Sequence, residues 1–372
     1  MFTREYTKIF KGIAVILMMA HHLLFFPERM PTGYEIISMV SVNGLEIETI
    51  IGSFGKICVS LFMFLGGYGM WKQAEASKDG SVSILKHILS LYTAFWKILL
   101  VFAPIAFIFF GNQPIYSEKE AQCTLFSNFT IDGFIRNFTG WHTSYNWEWW
   151  FFKSYICTLF IGALFMTLIR KHQNKYTDIF ILIIWEIMST VILPALPKIE
   201  LLSGLNSDIF YKNIFLLTEY SISFYAGIIV AKYSLLDRFI KMYMQLSIVP
   251  RVCFAILSQL LVIYSRVFFN GSASMDILYI PIFISSGVII LEAIPIAKKA
   301  LKLFGKYSTS IWLTHSFFCY YFYTFSKIVY YTRNGIIALI TLTAFSLLAS
   351  ILVEHFWKNP LFKRIYSHCN NH

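Results

Sequence analysis

Ten stretches of about twenty mainly apolar residues divide the chain, and they restrict what it can fold into more than any other feature. They lie at approximately 8–26, 54–71, 88–110, 149–169, 178–197, 213–232, 247–268, 277–295, 308–329 and 335–356. A helix of about 20 residues matches the hydrocarbon thickness of a bilayer. Lipid offers no partner to a peptide group, so segments of this length must satisfy their own backbone hydrogen bonds as helices. The expected fold is all-α: a polytopic membrane protein of about ten transmembrane helices. Composition excludes the soluble alternative. Of the 372 residues, 57% are hydrophobic and 14% charged, against roughly 25% charged in a soluble domain.

The charges orient the spans. Basic residues gather before the first span (Arg4, Lys8, Lys11) and after the even-numbered ones: Lys72, Lys78 and Lys86; Arg170, Lys171 and Lys175; Lys232, Arg238 and Lys241; Lys298, Lys299, Lys302 and Lys306; Lys358, Lys363 and Arg364. The first two intervening segments are mixed or acidic, with Glu28, Glu35, Glu46 and Glu48 against Arg29, then Glu118, Glu120 and Asp132 against Lys119 and Arg136. Basic loops stay cytoplasmic, so both termini are expected inside. The formal net charge of +11 is thereby a topological signal and does not argue for nucleic acid. Cys58, Cys123, Cys157, Cys253, Cys319 and Cys369 form no CxxC pair and no metal spacing; most sit in apolar runs, where Cys behaves as a small hydrophobe. The first span ends in His21-His22 and Pro27 without a small-residue cleavage site, which reads as a retained helix. No repeat of 20–50 residues is visible. One transmembrane domain over 1–372 is expected, with a long outer loop at 111–148 and a short cytoplasmic tail at 358–372. Asn128-Phe-Thr130 and Asn137-Phe-Thr139 in that loop match glycosylation sequons, a three-residue pattern that arises by chance.

Ionisable groups within a span are costly and mark function by default. Lys11 and His22 are eleven residues apart, which is about 20° past three full helical turns and about 16 Å along the axis. They share a face, and His21 points roughly 80° away from it. One helix then carries a cation near the cytoplasm and an imidazole toward the outer side. Imidazole is the usual base near neutral pH, and a lysine at an inner mouth suits a phosphate-bearing donor. The structural alternative is a snorkelling lysine and a packed helix-end histidine.

The run from Phe10 through Lys11 to His22 resembles the first-helix motif of the acyltransferase 3 family of membrane proteins, which carries Arg or Lys, ten residues, then His. Cys58–Gly69 is similar to that family's second-helix segment, with Gly66 in place of its Ser. Trp149-Trp150-Phe151 resembles the start of its fourth helix, Phe304–His315 its Gly-Lys-x-Ser-x-x-Ile-Tyr-Leu-x-His segment, and Val353–Pro360 its Glu-x-Pro ending. The resemblances run from residue 10 to about 360 in family order. They imply an enzyme that moves an acyl group, usually acetyl from acetyl-CoA, to a carbohydrate hydroxyl at or beyond the outer face. Under that reading His22 is catalytic, as base or as acyl carrier, and Lys11 is the inner cation. Many members open the third helix with Arg-x-x-Arg; here the stretch reads Lys86-His87-Ile88-Leu89-Ser90, so Lys86 or His87 is left to share that work.

The implied partners are an acyl-CoA, a carbohydrate acceptor and the bilayer of a bacterial plasma membrane. Acetyl-CoA is a cosubstrate, and no permanently bound cofactor is implied. Its phosphates point to Lys11, Lys72, Lys86 and Lys306, although inner-loop topology alone accounts for the last three. His315 lies about 10 Å into its helix, placed to line a passage for the donor or to serve as a hydrogen-bonded interior histidine. Asp276 opens the eighth span and suits orienting His22, binding sugar hydroxyls or capping its helix. Trp141, His142, Trp147, Glu148, Trp149 and Trp150 cluster at an outer helix end, as an interfacial belt does; Trp149 is singled out as a platform for a sugar ring. Glu186 and Glu219 are intramembrane carboxylates without an assigned role. A metal mechanism is not expected, since His21 and His22 face different ways and no second cluster completes a site. Neither a Gly-rich phosphate loop nor a GxSxG elbow is present. The competing reading is a carrier or flippase for a lipid-linked sugar, which would tend to show paired halves with broken helices; no such pairing of Gly and Pro interruptions is visible. A sensor without chemistry would have no reason to align Lys11 with His22.

Overall fold

The structure is a computed structural model that describes residues 1–78, 80–114, 125–171, 174–206, 218–269 and 271–358. Helix α1 (Arg4–Leu24) leads through a small hairpin, Ser41–Val42 against Leu45–Glu46, to α2 (Ile47–Gly55) and α3 (Ile57–Ala76). Next come α4 (Ile84–Phe109), the short α5 (Ile131–Phe138), α6 (Trp150–Arg170) and α7 (Lys175–Ile187). The chain continues with α8 (Ser221–Lys232), α9 (Leu235–Met244), α10 (Ile248–Phe268), α11 (Ala273–Ala293), α12 (Pro295–Lys306), α13 (Ser308–Ser316), α14 (Tyr323–Tyr330) and α15 (Gly335–Lys358).

Among the described residues, eight helical runs are long and apolar enough to cross a membrane: Arg4–Leu24, Ile47–Ala76, Ile84–Phe109, Trp147–Arg170, Lys175–Lys198, Ile248–Phe268, Ala273–Ala293 and Gly335–Lys358. The protein is an all-α polytopic membrane protein, as its hydropathy predicts. Two expected spans look different. The span at 213–232 is helical over Ser221–Lys232, and its residues 213–217 lie outside the described ones. The span at 308–329 is broken: α13 runs into a π-helical turn, Phe317–Tyr321, and the chain kinks at Phe322 (φ −97°, ψ 86°) before α14. Hydropathy cannot show such a break, because every residue through it is apolar or aromatic. Residues 115–124 of the outer loop, with Glu118, Lys119, Glu120 and Cys123, and residues 359–372 of the tail, with Lys363, Arg364 and Cys369, lie outside the described residues.

Two compact units interleave along the chain. The first consists of Met1–Ala14, Lys56–Lys86 and Phe151–Gly305. In it α3 and α8 cross at a distance only glycine permits: a Cβ on Gly67 would lie 1.9 Å from the Phe224 carbonyl oxygen, and one on Gly227 2.2 Å from that of Phe64. Small residues let helices approach this closely in lipid, where packing rather than hydrophobicity drives association. The same unit buries an Arg266–Asp276 pair between α10 and α11, at 2.7 Å.

The second unit holds Val15–Gly55, His87–Trp150 and the chain from Lys306 on. Here aromatic rings fill the kink, with Phe322 stacked on Phe110 at 3.9 Å and Phe317 against Phe102 at 4.8 Å. The outer-loop segment before α6 is tied to α13: Asn146 Nδ2 donates to Ser316 Oγ at 2.7 Å and Trp149 Nε1 to the Leu313 carbonyl at 3.0 Å. Asn137 is fully buried, donating to Gly133 O and Ser144 Oγ and accepting from Tyr145 N. Its amide shapes the loop, which agrees with reading that sequon as chance.

Candidate active site

The second unit assembles its polar groups around the C-terminal end of α1. A helix end leaves carbonyls without intrahelical partners, and here phenols satisfy two of them. Tyr320 donates its hydroxyl to the His22 carbonyl, and Tyr330 to that of Leu23 at 3.2 Å. Tyr320 comes from the π-helical turn after α13, a distortion often found where a side chain must be re-aimed at a functional site. The adjacent His21 is held the other way. Its Nδ1 donates to the Gly52 carbonyl at 2.8 Å, and α2 lies so close to α1 that a Cβ on Gly55 would sit 2.4 Å from Leu17 O.

His22 faces His315, with ring centroids 5.1 Å apart and planes tilted by 45°. His315 is fully buried, and its Nδ1 lies 2.7 Å from the Trp312 carbonyl. A carbonyl only accepts, so Nδ1 carries the hydrogen and Nε2 of the neutral ring is a bare lone pair. Among the described residues, that Nε2 has no hydrogen-bond partner, and neither has Nδ1 of His22, although both atoms are buried. Buried polar atoms are nearly always paired, so two orphaned nitrogens on neighbouring imidazoles mark this as a place kept open for chemistry.

Aromatic and charged groups frame this pair. Phe26 stacks on His22 at 6.2 Å and Tyr320 meets it edge-on at 6.0 Å. The Arg29 guanidinium lies 4.1 Å over the Phe26 ring and 5.3 Å over that of Tyr320, a favourable cation–π arrangement. Arg29 also pairs with the buried Glu148 at 3.3 Å. Tyr321 donates to the other Glu148 oxygen at 2.5 Å and accepts from the Trp147 peptide N–H at 3.0 Å. The Glu148 peptide N–H is in turn held by Asn146 Oδ1 at 3.1 Å. The chemistry at the centre is that of one or two neutral imidazoles, able to accept a proton or an acyl group, in a shell otherwise closed by its own hydrogen bonds.

The residues singled out from sequence fall in different places. His22 and His315 come together. Lys11 lies on the unbroken α1, so the expected register with His22 holds along the helix. Lys72 pairs with Glu75 at 2.8 Å on the exposed side of α3. Lys86 is exposed at the start of α4, and Lys306 lies 4.9 Å from the Tyr307 ring. Asp276 belongs to the first unit, its two carboxylate oxygens taken by Arg266 at 2.7 and 3.2 Å. Trp149 is 1% exposed, its ring edge-on to Phe95 at 4.9 Å and near Phe317 at 5.9 Å. That burial makes it an anchor of its segment and leaves no face for a sugar ring, whereas Trp147, two residues earlier, is 42% exposed. Sequence reasoning passed over Arg29, Tyr320 and Tyr321, which frame the site, and Arg266, which closes on Asp276 in the first unit. Arg266, an arginine deep in an apolar run, was the one with a readable signal. Among the described residues no group of three or more His, Cys, Asp or Glu side chains is placed to hold a metal ion.

The profile of a family described as an acyltransferase domain matches residues 4–355, taking in both units and both histidines. No curated protein gives a significant match to the chain.

Proposed function

The chain belongs to the acyltransferase 3 family, and from that premise we propose that it carries an acetyl group from cytoplasmic acetyl-CoA to a hydroxyl of a surface or exported polysaccharide, in a bacterial plasma membrane. That it is a multi-pass membrane protein of an acyltransferase family is the established part. The observation that carries the finer reading is the neighbouring pair of imidazoles, each with a buried and unpartnered nitrogen.

Two routes use His22. As a base it takes the proton of the acceptor hydroxyl while the oxygen attacks the thioester carbonyl. The C–O bond forms, the C–S bond breaks, and the thiolate leaves and recovers the proton. As an acyl carrier, its bare nitrogen attacks the thioester first, the C–S bond breaks and the thiolate takes the proton of the other ring nitrogen; the acyl-imidazole then passes its acyl group to the hydroxyl, whose proton returns to the ring. Lys11, at the cytoplasmic part of the same helix, supplies positive charge toward the phosphates of the donor. The Tyr320 bond to the His22 carbonyl fixes the helix end, so the ring is held rather than left to fray.

Membranes containing the protein, radiolabelled acetyl-CoA and an acceptor glycan test this. The wild-type chain is expected to label the glycan. His22→Ala should lose roughly 100-fold or more of that rate, the usual weight of a general base. A carrier or flippase gives no label with either chain, and a His22→Ala protein as fast as wild type removes His22 from the mechanism.

A further inference from the structure

We infer that His315 is the proton-sharing partner of His22. Its bare Nε2 takes the N–H of His22 Nδ1, which leaves His22 Nε2 as the atom that accepts the proton of the attacking hydroxyl. The inference rests on the acyl-transfer reading. It gives His315 a positioning role in place of the donor-passage role that its depth in the helix suggests.

A histidine base needs a second group to fix which nitrogen carries the proton and to share the charge that develops, commonly a carboxylate or a carbonyl. The groups around the His22 ring narrow the choice. Phe26 offers no acceptor. The Tyr320 hydroxyl and Nδ1 of His21 give their hydrogens to the His22 and Gly52 carbonyls, and neither the Tyr320 oxygen nor Nε2 of His21 is a buried atom left without a partner. Glu148 is occupied by Arg29 and Tyr321. His315 remains, with its Nδ1 proton locked on Trp312 O and its Nε2 lone pair buried and unused. The unused nitrogen on the facing ring is Nδ1 of His22. A bare acceptor beside an orphaned ring nitrogen, at a centroid spacing of 5.1 Å, is a hydrogen bond waiting to close. Catalytic hydrogen bonds are often long at first and tighten in the complex with substrate.

The proton balance closes. As the hydroxyl proton moves to His22 Nε2, the Nδ1 proton leans toward His315 Nε2, and the positive charge spreads over two rings. When the C–S bond breaks, the thiolate takes the proton from His22 Nε2, and both imidazoles return to their neutral tautomers.

The test exploits the geometry of amide replacements. A Gln side chain reaches the depth of Nε2, whereas Asn reaches only that of Nδ1. His315→Gln therefore keeps an acceptor toward His22, and His315→Asn keeps only the bond to Trp312. The full-length chain in membranes is given radiolabelled acetyl-CoA and envelope polysaccharide extracted from the cells that make it. Each variant is normalised to the monodisperse protein recovered in detergent. His315→Gln should stay within about tenfold of wild-type kcat, and His315→Asn should fall by roughly 100-fold, with KM for acetyl-CoA unchanged in both. Asn milder than Gln would mean that the Trp312 bond is what matters and would overturn the inference. A raised KM at unchanged kcat would overturn it in favour of donor binding. Equal full rates in both variants would overturn it as well. A wild-type chain that labels no glycan defeats the acyl-transfer reading itself, a result separate from any of these.

Discussion

Each unit brings an ionisable pair together, and the pairs differ in how fully their atoms are used. In the first unit Arg266 and Asp276 close on each other through two hydrogen bonds, of 2.7 and 3.2 Å. In the second, His22 and His315 are neighbours with rings tilted by 45°, each with a buried nitrogen that has no hydrogen-bond partner among the described residues. His22, His315 and Asp276 are candidate site residues from the sequence, where ionisable groups in spans mark function. The comparison refines that rule. A closed pair has spent its hydrogen-bonding capacity on the fold, while an open pair has kept capacity for proton movement.

The widest test exchanges the two. His22→Ala should abolish most transfer, by roughly 100-fold or more, while leaving heat stability in detergent near wild type, since it removes a side chain whose Nδ1 was already unpaired. Asp276→Ala should do the reverse. It strands a buried guanidinium, and breaking one side of such a pair costs about 3–5 kcal/mol. The readout is a large fall in thermal midpoint, and the double variant Arg266→Met with Asp276→Leu should recover most of it. An Asp276→Ala protein that is heat-stable but inactive would place that carboxylate in the acyl-transfer site and end the contrast.

The contrast also explains what was legible beforehand. Eight spans could be read from hydropathy, because a bilayer fixes both the length and the polarity of the segment that crosses it. The break at Phe317–Phe322 could not, since apolarity says where a segment lies but not whether its hydrogen bonds run straight. His22 stood out through its register with Lys11, a property of one helix. Its pairing with His315, and that of Asp276 with Arg266, are meetings of separate helices, which a single sequence does not encode by spacing. Trp149 and Trp147 show the same limit: core and surface tryptophans at a helix end read alike, and only packing separates the anchor from the exposed ring.

A smaller effect sharpens the open side of the comparison. Tyr320→Phe removes one hydroxyl, which donates to the His22 carbonyl. A hydrogen bond of this kind is worth about 1 kcal/mol net, and the ring stays to pack against His22. Transfer should drop several-fold with stability little changed. A loss as deep as that of His22→Ala would assign the hydroxyl to the chemistry itself.

The smallest effect is expected at Lys72, which the resemblance grouped with the donor-binding cations. Its ammonium pairs with Glu75 at 2.8 Å on a partly exposed helix surface. Such pairs contribute about 0.2–1 kcal/mol, so Lys72→Ala should barely move the thermal midpoint. Its charge is already answered by a neighbouring carboxylate, so the field it can lend to a phosphate is small, and KM for acetyl-CoA should stay within about twofold of wild type. Among the described residues Lys11 has no carboxylate partner, and its substitution by Ala should raise that KM more than the loss of Lys72 does. If the order is reversed, the donor enters along α3 rather than α1, and the alignment of Lys11 with His22 is a matter of topology alone.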